Sequence, residues 1–126
     1  AVLQRAIDLQ EPVAPTEELV RDLKEAGYRL YVLSNMSREF IDYLRRFPVY
    51  GLFDGEVVSC EELCVKPEPR IYEILLDRYG LLPSETLFID DRPANIDTAR
   101  TLGIGGFLFE AHDPASSCAT LRQMLL

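Results

Sequence analysis

Short apolar runs alternate along the chain with segments in which apolar residues recur at helical spacing. The apolar runs cover residues 28–33, 56–60, 86–89 and 107–109. Runs of this length indicate strands, and strands that alternate with helices of about a dozen residues form a parallel sheet. The sequence therefore predicts an α/β fold in which helices cover both faces of a parallel sheet.

Capping residues and helix breakers mark the expected ends of the helices. Thr16 is expected to cap a helix that Gly27 ends, and Ser37 to cap a helix that Pro48 stops. These two segments are predicted to be helices that cover the sheet. Further helices are predicted over residues 1–10, 69–79, 93–102 and 117–126.

The length and the charge of the chain limit its organisation and its partners. A chain of 126 residues fits one domain. The formal net charge of −8 argues against a nucleic-acid partner, because phosphate backbones are bound by basic surfaces. No apolar run approaches the roughly 20 residues of a membrane span, and residues 1–10 do not resemble a signal peptide. We therefore expect neither nucleic acid nor membrane among its partners.

The three cysteines bear on the cellular compartment and on metal binding. Their number is odd and their spacing suggests no disulfide framework, which favours a reducing cytoplasm. Cys60 and Cys64 lie four positions apart, but the chain has no second cysteine pair, and His112 is its one histidine. We interpret the cysteines as small apolar core residues rather than as zinc ligands.

Polar residues stand where three of the predicted strands end, and ligands bind at such ends in parallel α/β sheets. Ser34 and Asn35 follow the first strand, Lys66 lies in the loop after the second, and Asp90 and Asp91 follow the third. Each has a simpler interpretation by itself. A strand-ending serine commonly forms a turn, acidic residues commonly cap the next helix, and a loop lysine is commonly solvated with little effect on stability.

The chemistry of these groups also suits a phosphoryl group and a divalent cation. Asp90 and Asp91 repel each other unless a cation or hydrogen-bond donors offset their charge, and Mg²⁺ binds carboxylate and phosphate oxygens together. The Ser34 hydroxyl and the Asn35 backbone N–H are suited to hold a phosphoryl oxygen. Taken singly, each group leaves both interpretations open.

Taken in order, three stretches resemble the second, third and fourth motifs of the haloacid dehalogenase-like (HAD) hydrolases. They are Tyr-Val-Leu-Ser-Asn at residues 31–35, Lys-Pro-Glu-Pro-Arg-Ile-Tyr at residues 66–72, and Leu-Phe-Ile-Asp-Asp-Arg-Pro-Ala-Asn-Ile-Asp-Thr-Ala-Arg at residues 87–100. The resemblance covers nearly the whole chain. It implies a Rossmann-like HAD core and a magnesium-dependent phosphatase that acts on a small phosphorylated metabolite through an aspartyl-phosphate intermediate.

The resemblance also implies a role for each residue at the strand ends. Ser34 and the backbone N–H of Asn35 would bind the transferring phosphoryl group, and Lys66 would neutralise charge on the nucleophile and on the phosphoryl oxygens. Asp91 would ligate Mg²⁺ directly, and Asp90 would support it through a bound water or by pairing with Lys66. The implied catalytic residues are Ser34, Lys66 and Asp90, the implied substrate-binding residues are Ser34, Asn35 and Lys66, and the implied metal residues are Asp90 and Asp91.

The chain departs from the family pattern at its beginning. The family nucleophile is an aspartate in an Asp-x-Asp sequence on the first, central strand, and no Asp-x-Asp occurs in this sequence. The resemblance therefore places the nucleophile, the central strand and most of the cap domain upstream of this chain. Residues 1–14 would be a cap remnant with the last cap helix, and residues 15–126 the core. By itself, the chain is then expected to be inactive, with an unfilled position at the centre of its sheet.

Other activities of the same superfamily stay open. A haloacid dehalogenase works without a metal and typically lacks the acidic pair seen here, whereas a phosphomutase shares the site. A non-catalytic binding module is also possible, because fold does not dictate activity. Among phosphatases, the stretch at residues 66–72 most resembles the sugar-phosphate phosphatases of the α-glucose-1-phosphate type. Asn95 stands where many relatives carry another acid.

Overall fold

Five parallel strands form one sheet in the computed structural model, which describes residues 4–7, 14–110 and 112–126. The strands lie in the order β3-β2-β1-β4-β5, and every neighbouring pair is parallel. Because the strand order reverses at β1, the carboxyl ends of β2 and β4 flank the carboxyl end of β1. The strands are β1 (Gln4–Ile7), β2 (Arg29–Ser34), β3 (Gly55–Val58), β4 (Thr86–Asp90) and β5 (Gly105–Leu108).

In the described residues, six α-helices cover the sheet or connect its strands. They are α1 (Ala14–Glu25), α2 (Arg38–Leu44), α3 (Ser59–Glu62), α4 (Pro69–Tyr79), α5 (Pro93–Thr101) and α6 (Pro114–Leu125), with short 3₁₀ turns at Pro48–Leu52 and Pro83–Glu85. α1 packs against α6, and α4 packs against α5.

Two hydrophobic clusters, one on each face of the sheet, hold α1 and α6 on one side and α4 and α5 on the other. Successive side chains of a strand point to opposite faces, so Leu30 packs with α1 and α6, whereas Tyr31 packs with α4 and α5. On β4, Ile89 and Phe88 divide between the two faces in the same way. The predicted α/β architecture, a parallel sheet with helices on both faces, is confirmed.

Most helices lie where the sequence predicts them, and the differences are at their ends. α4 occupies residues 69–79 as predicted, and the Ser37 hydroxyl oxygen caps α2 by accepting a first-turn N–H at 3.2 Å. Thr16 is not a cap, since α1 begins at Ala14. α6 begins earlier than predicted because the Asp113 carboxylate caps it, accepting a first-turn N–H at 3.3 Å.

The centre of the sheet differs most from the sequence prediction. β1 pairs with β2 on one side and with β4 on the other, so that Ile7 is in register with Val32 and Ile89. The helix predicted over residues 1–10 is therefore wrong for Gln4–Ile7, and so is the prediction that no segment of this chain fills the centre. Each buried N–H or C=O left unpaired costs about 1–3 kcal/mol, which outweighs the weak helix preference of so short a segment.

Other sequence predictions concern residues outside the sheet. The rest of the predicted first helix, residues 1–3 and 8–10, lies outside the described residues, and the division into a cap remnant over residues 1–14 and a core over residues 15–126 stays a prediction.

Two further predictions concern membranes and cysteines. No helix in the described part of the chain is long and apolar enough to cross a membrane. The three cysteines form no disulfide with one another, and Cys64 and Cys118 are buried.

Gly55, the first residue of β3, lies directly beneath the ring of Tyr79. The Tyr79 hydroxyl accepts a hydrogen bond from the Glu56 N–H at 2.9 Å and donates one to the Glu56 carbonyl at 3.1 Å, which holds the ring in place. A Cβ at position 55 would overlap that ring. We expect Gly55→Ala to lower the free energy of unfolding by about 1–3 kcal/mol, as overpacking typically does.

Urea unfolding measures this effect, and Gly51→Ala is the matched control. Among the described residues other than its chain neighbours, none has an atom within 4 Å of a Cβ built at Gly51, so that substitution is expected to be neutral or slightly stabilising. Equal free energies of unfolding for the two variants would contradict the packing of Tyr79 on Gly55.

Candidate functional site

The polar residues at the strand ends meet at the carboxyl edge of the sheet. Ser34 ends β2 and Asp90 ends β4, on either side of β1. Both residues are buried, with 0% and 1% of their surface exposed. Lys66 reaches the same edge from the loop between α3 and α4. In open parallel sheets this edge, at the point where the strand order reverses, is where ligands bind.

Lys66 and Asp90 form a buried ion pair. The Lys66 Nζ lies 2.7 Å from an Asp90 carboxylate oxygen, and the two side chains are 1% and 0% exposed. The same Nζ lies 5.5 Å from the centre of the Phe88 ring, on the strand that carries Asp90. The expectation of a solvated loop lysine is therefore wrong. A partner of opposite charge inside the core compensates for the loss of water around the ammonium.

Both oxygens of the Asp90 carboxylate accept hydrogen bonds. One accepts the Arg92 N–H at 2.9 Å, and the other accepts the Lys66 ammonium at 2.7 Å and the Asn95 side-chain amide at 3.1 Å. Burial raises the pKa of Asp90, but the charge of Lys66 and these donors outweigh it and hold the pKa below its usual value. Asp90 is therefore an anion whose oxygens are already engaged.

Asn95 holds Asp90 in place, a role that its position in the sequence did not reveal. It is buried in the first turn of α5, where its amide donates to Asp90 and its backbone carbonyl accepts the Tyr72 hydroxyl at 2.8 Å. An acid at this position would bring a second negative charge to the engaged Asp90, whereas an amide supplies a donor. The departure from the family pattern is thus compatible with the ion pair.

Asp91 is the exposed member of the acidic pair. Partial desolvation and the negative charge of neighbouring Asp90 raise its pKa. A divalent cation at this carboxylate would offset the repulsion, and Mg²⁺ prefers such oxygen ligands. No group of three or more histidine, cysteine or acidic side chains is gathered around a metal position in residues 4–7, 14–110 and 112–126. The donor set therefore fits Mg²⁺ at Asp91 if other oxygens complete the coordination, while Asp90 is engaged by Lys66.

Two side chains tie together the loops that follow β2 and β3. The Asn35 amide accepts the Lys66 backbone N–H at 2.8 Å and donates to the Lys66 carbonyl at 3.1 Å. The Ser59 hydroxyl accepts the Met36 N–H at 3.0 Å and donates to the Met36 carbonyl at 3.3 Å. The sequence pattern predicted a role only for the backbone N–H of Asn35 and none for Ser59. The side-chain contacts of both residues join segments far apart in the chain, so no local pattern predicts them.

Comparison with known proteins places this geometry in a family. The sequence model that describes the family of haloacid dehalogenase-like hydrolases matches residues 1–103 of this chain. The sesquiterpene phosphatase astK of Aspergillus oryzae is 29% identical over 126 residues, covering 99% of this chain and 63% of that protein. The (S)-2-haloacid dehalogenase 4A of Burkholderia cepacia is 30% identical over 87 residues, covering 68% of this chain and 38% of that protein.

A solved structure shows the same relationship in three dimensions. A HAD family enzyme from Bacteroides thetaiotaomicron, in complex with magnesium and inorganic phosphate, superposes with a TM-score of 0.69 at 29% identity. The match covers 82% of this chain and 55% of that one. The chain thus spans less than two thirds of the length of each of these relatives. With a family match over residues 1–103, it belongs to the haloacid dehalogenase-like hydrolases.

Proposed function

We propose that this chain is part of a magnesium-dependent phosphatase that hydrolyses a small phosphorylated molecule. The observation that carries the proposal is the buried ion pair of Lys66 and Asp90 directly beside the exposed Asp91. Phosphoryl transfer needs charge stabilisation and alignment more than elaborate covalent machinery. A lysine fixed in the core, next to an acidic metal ligand, is suited to both tasks.

Each residue at the strand ends has a part in this reaction. The Ser34 hydroxyl and the Asn35 backbone N–H bind phosphoryl oxygens, and the Lys66 ammonium balances the charge of the phosphoryl group and the nucleophile. Asp91 ligates Mg²⁺, which when bound neutralises phosphate charge. Asp90 does not bind the metal directly, because Lys66, Asn95 and a backbone N–H occupy its oxygens; it holds Lys66 in place.

The nucleophile in this proposal is an aspartate outside these 126 residues, on a segment that reaches the carboxyl edge of the sheet although β1 holds the central position here. No Asp-x-Asp occurs in the sequence, and the matched relatives are longer than this chain. The carboxylate of this aspartate attacks phosphorus and displaces the ester oxygen, which leaves as the alcohol, and water then hydrolyses the resulting aspartyl-phosphate to release inorganic phosphate and restore the aspartate. A phosphoryl-binding site without its nucleophile is incomplete, so the 126 residues alone are expected to be inactive.

The acidic pair favours a phosphatase over a dehalogenase. Halide displacement in this superfamily needs no metal, so Asp91 would have no function in it. A phosphatase relative and a relative solved with magnesium and phosphate support the phosphatase. Because another relative is a haloacid dehalogenase, the experiment also tests for halide release. A phosphomutase would use the same residues, and a non-catalytic binding module would keep the fold without turnover. Sugar phosphates and a sesquiterpenyl phosphate are the first substrates to test.

The experiment measures hydrolysis of p-nitrophenyl phosphate by the full-length protein with Mg²⁺ and with excess EDTA. We expect activity with Mg²⁺ that EDTA removes, because the phosphate charge is neutralised partly by the metal. The 126-residue chain alone is the control and is expected to be inactive. Full activity in EDTA would contradict the proposal. Halide release from a 2-haloacid without Mg²⁺ would identify a dehalogenase, and an absence of turnover on every substrate would favour a binding module.

A further inference from the structure

We infer that Asn35 is a positioning residue whose side-chain amide fixes the backbone of Lys66, and through it the place of the lysine ammonium. The inference rests on the proposed function and concerns the same site. It gives the Asn35 side chain a role distinct from that of its backbone N–H, which binds the substrate in the proposed reaction. The starting point is the pair of hydrogen bonds between the Asn35 amide and the Lys66 main chain.

The amide group of Asn35 is matched to both main-chain groups of Lys66. Its oxygen accepts the N–H at 2.8 Å and its nitrogen donates to the carbonyl at 3.1 Å, across 31 residues of sequence. An asparagine side chain offers one acceptor and one donor side by side, as a peptide group does. A carboxylate would set a second oxygen against the Lys66 carbonyl, and an alanine would leave both groups without this partner.

The loop that carries Lys66 is held to the core by two buried side chains, Cys64 and Lys66 itself, and the Asn35 amide adds a bond to its main chain. Lys66 lies in a turn between α3 and α4, outside regular secondary structure. Of the residues just before it, Leu63 is 91% exposed and Val65 is 44% exposed, so apart from Cys64 these side chains do little to fix the main chain next to Lys66. A turn hydrogen bond joins the Glu68 N–H to the Val65 carbonyl at 2.8 Å, but it is local to the loop. The Asn35 amide instead anchors the loop to the end of β2.

The position of the Lys66 backbone matters because the side chain is long. Four methylene groups separate the backbone from the ammonium, and their rotational freedom is costly to suppress. A displacement of about 1 Å at a group that stabilises the reacting atoms costs about a hundredfold in rate. Asn35 therefore acts on catalysis through Lys66, without touching the phosphoryl group by its side chain.

The test compares wild type, Asn35→Ala, Lys66→Met and the double variant in the full-length protein. Asn35→Ala keeps the backbone N–H at position 35, so we expect kcat to fall about 10- to 100-fold with a smaller change in KM. In the Lys66→Met background, the same substitution should change kcat by less than about twofold, because the lysine it acts through is gone. A substitution that merely loosens the fold would lower kcat by the same factor in both backgrounds.

Hydrogen exchange provides a readout that does not depend on activity. We expect the Lys66 backbone amide to exchange at least about tenfold faster in Asn35→Ala, since its acceptor is removed. Tyr79→Phe is the matched control, because the Tyr79 hydroxyl bridges the N–H and the carbonyl of Glu56 in the same manner away from the site. That variant should speed exchange at Glu56 and leave kcat unchanged.

The outcomes separate this inference from the proposed function. An unchanged kcat in Asn35→Ala, or an equal loss in the Lys66→Met background, overturns the positioning role while the phosphatase stands. If wild type hydrolyses no phosphate ester, the proposed function is wrong, and an unchanged Lys66 exchange rate then overturns the anchoring role as well. Should Asn35→Ala fail to fold, Asn35→Ser carries the same expectations, because its hydroxyl is too short to reach both backbone groups.

Discussion

Asp91→Ala is expected to abolish the magnesium-dependent hydrolysis of p-nitrophenyl phosphate by the full-length protein. Asp91 is the exposed carboxylate of the acidic pair, and the oxygens of Asp90 are already bonded to Lys66, Asn95 and a backbone N–H. Asp90 is therefore expected to be a poor replacement for the lost metal ligand. We expect kcat/KM to fall by about 10³-fold or more, at or beyond the upper end of the range for removing one charge-stabilising group.

Steady-state kinetics over a range of Mg²⁺ concentrations measure this loss. Asp97→Ala is the matched control. Asp97 is also an exposed carboxylate, but it lies within α5, seven residues after the end of β4. It should leave both the rate and the Mg²⁺ dependence unchanged. Asp91→Asn keeps an oxygen ligand without its charge and should need more Mg²⁺ for whatever activity remains. Wild-type activity in Asp91→Ala would contradict the assignment of Asp91 as the metal ligand.

Lys66→Met is expected to reduce both activity and stability. Removing one charge-stabilising donor lowers kcat by about 10²- to 10³-fold. The sequence predicted little effect on folding, but the structure buries Lys66 against Asp90. Without its partner, Asp90 is left as a buried, uncompensated charge, which costs about 3–5 kcal/mol of unfolding free energy. Denaturant unfolding and kcat per folded molecule separate the two effects.

Two further variants show which part of the loss belongs to the ion pair. Lys66→Met combined with Asp90→Asn removes both charges, so it should recover much of the stability and none of the activity. Lys24→Met is the matched control, because Lys24 pairs with Asp54 at 2.6 Å with 36% and 32% of the side chains exposed, and such pairs contribute about 0–1 kcal/mol. A similar free energy of unfolding for Lys66→Met and Lys24→Met would contradict the buried pair.

Much of the fold could be predicted from local patterns in the sequence. Apolar runs identified β2 and β4, and helical spacing between Pro69 and Gly80 identified α4, because each pattern reports which side chains the element buries. The strand at Gln4–Ile7 could not be found in this way. Its apolar residues fit a helix equally well over so short a segment, and its strand form depends on the open edges of β2 and β4, which lie far away in the chain.

For the candidate site, too, the positions of the residues could be predicted and their contacts could not. Ser34, Lys66, Asp90 and Asp91 could be located because polar residues after buried strands meet at one sheet edge. Their contacts could not. Lys66 and Asp90 are 24 residues apart and Asn35 and Lys66 are 31 apart, and a lysine before a proline resembles any solvated loop. Burial and hydrogen-bond partners depend on how loops meet in three dimensions, which no local pattern records.

The ion pair also has a mechanical consequence for the sheet. Lys66 follows β3, which lies on one side of β1, and Asp90 ends β4, which lies on the other. The pair therefore joins the two halves of the sheet across its middle strand. Separating the halves breaks this pair, so we expect the parts of the sheet on the two sides of β1 to open together as one cooperative unit. The residues that we assign to catalysis thereby also set how large a part of the molecule must unfold in a single step.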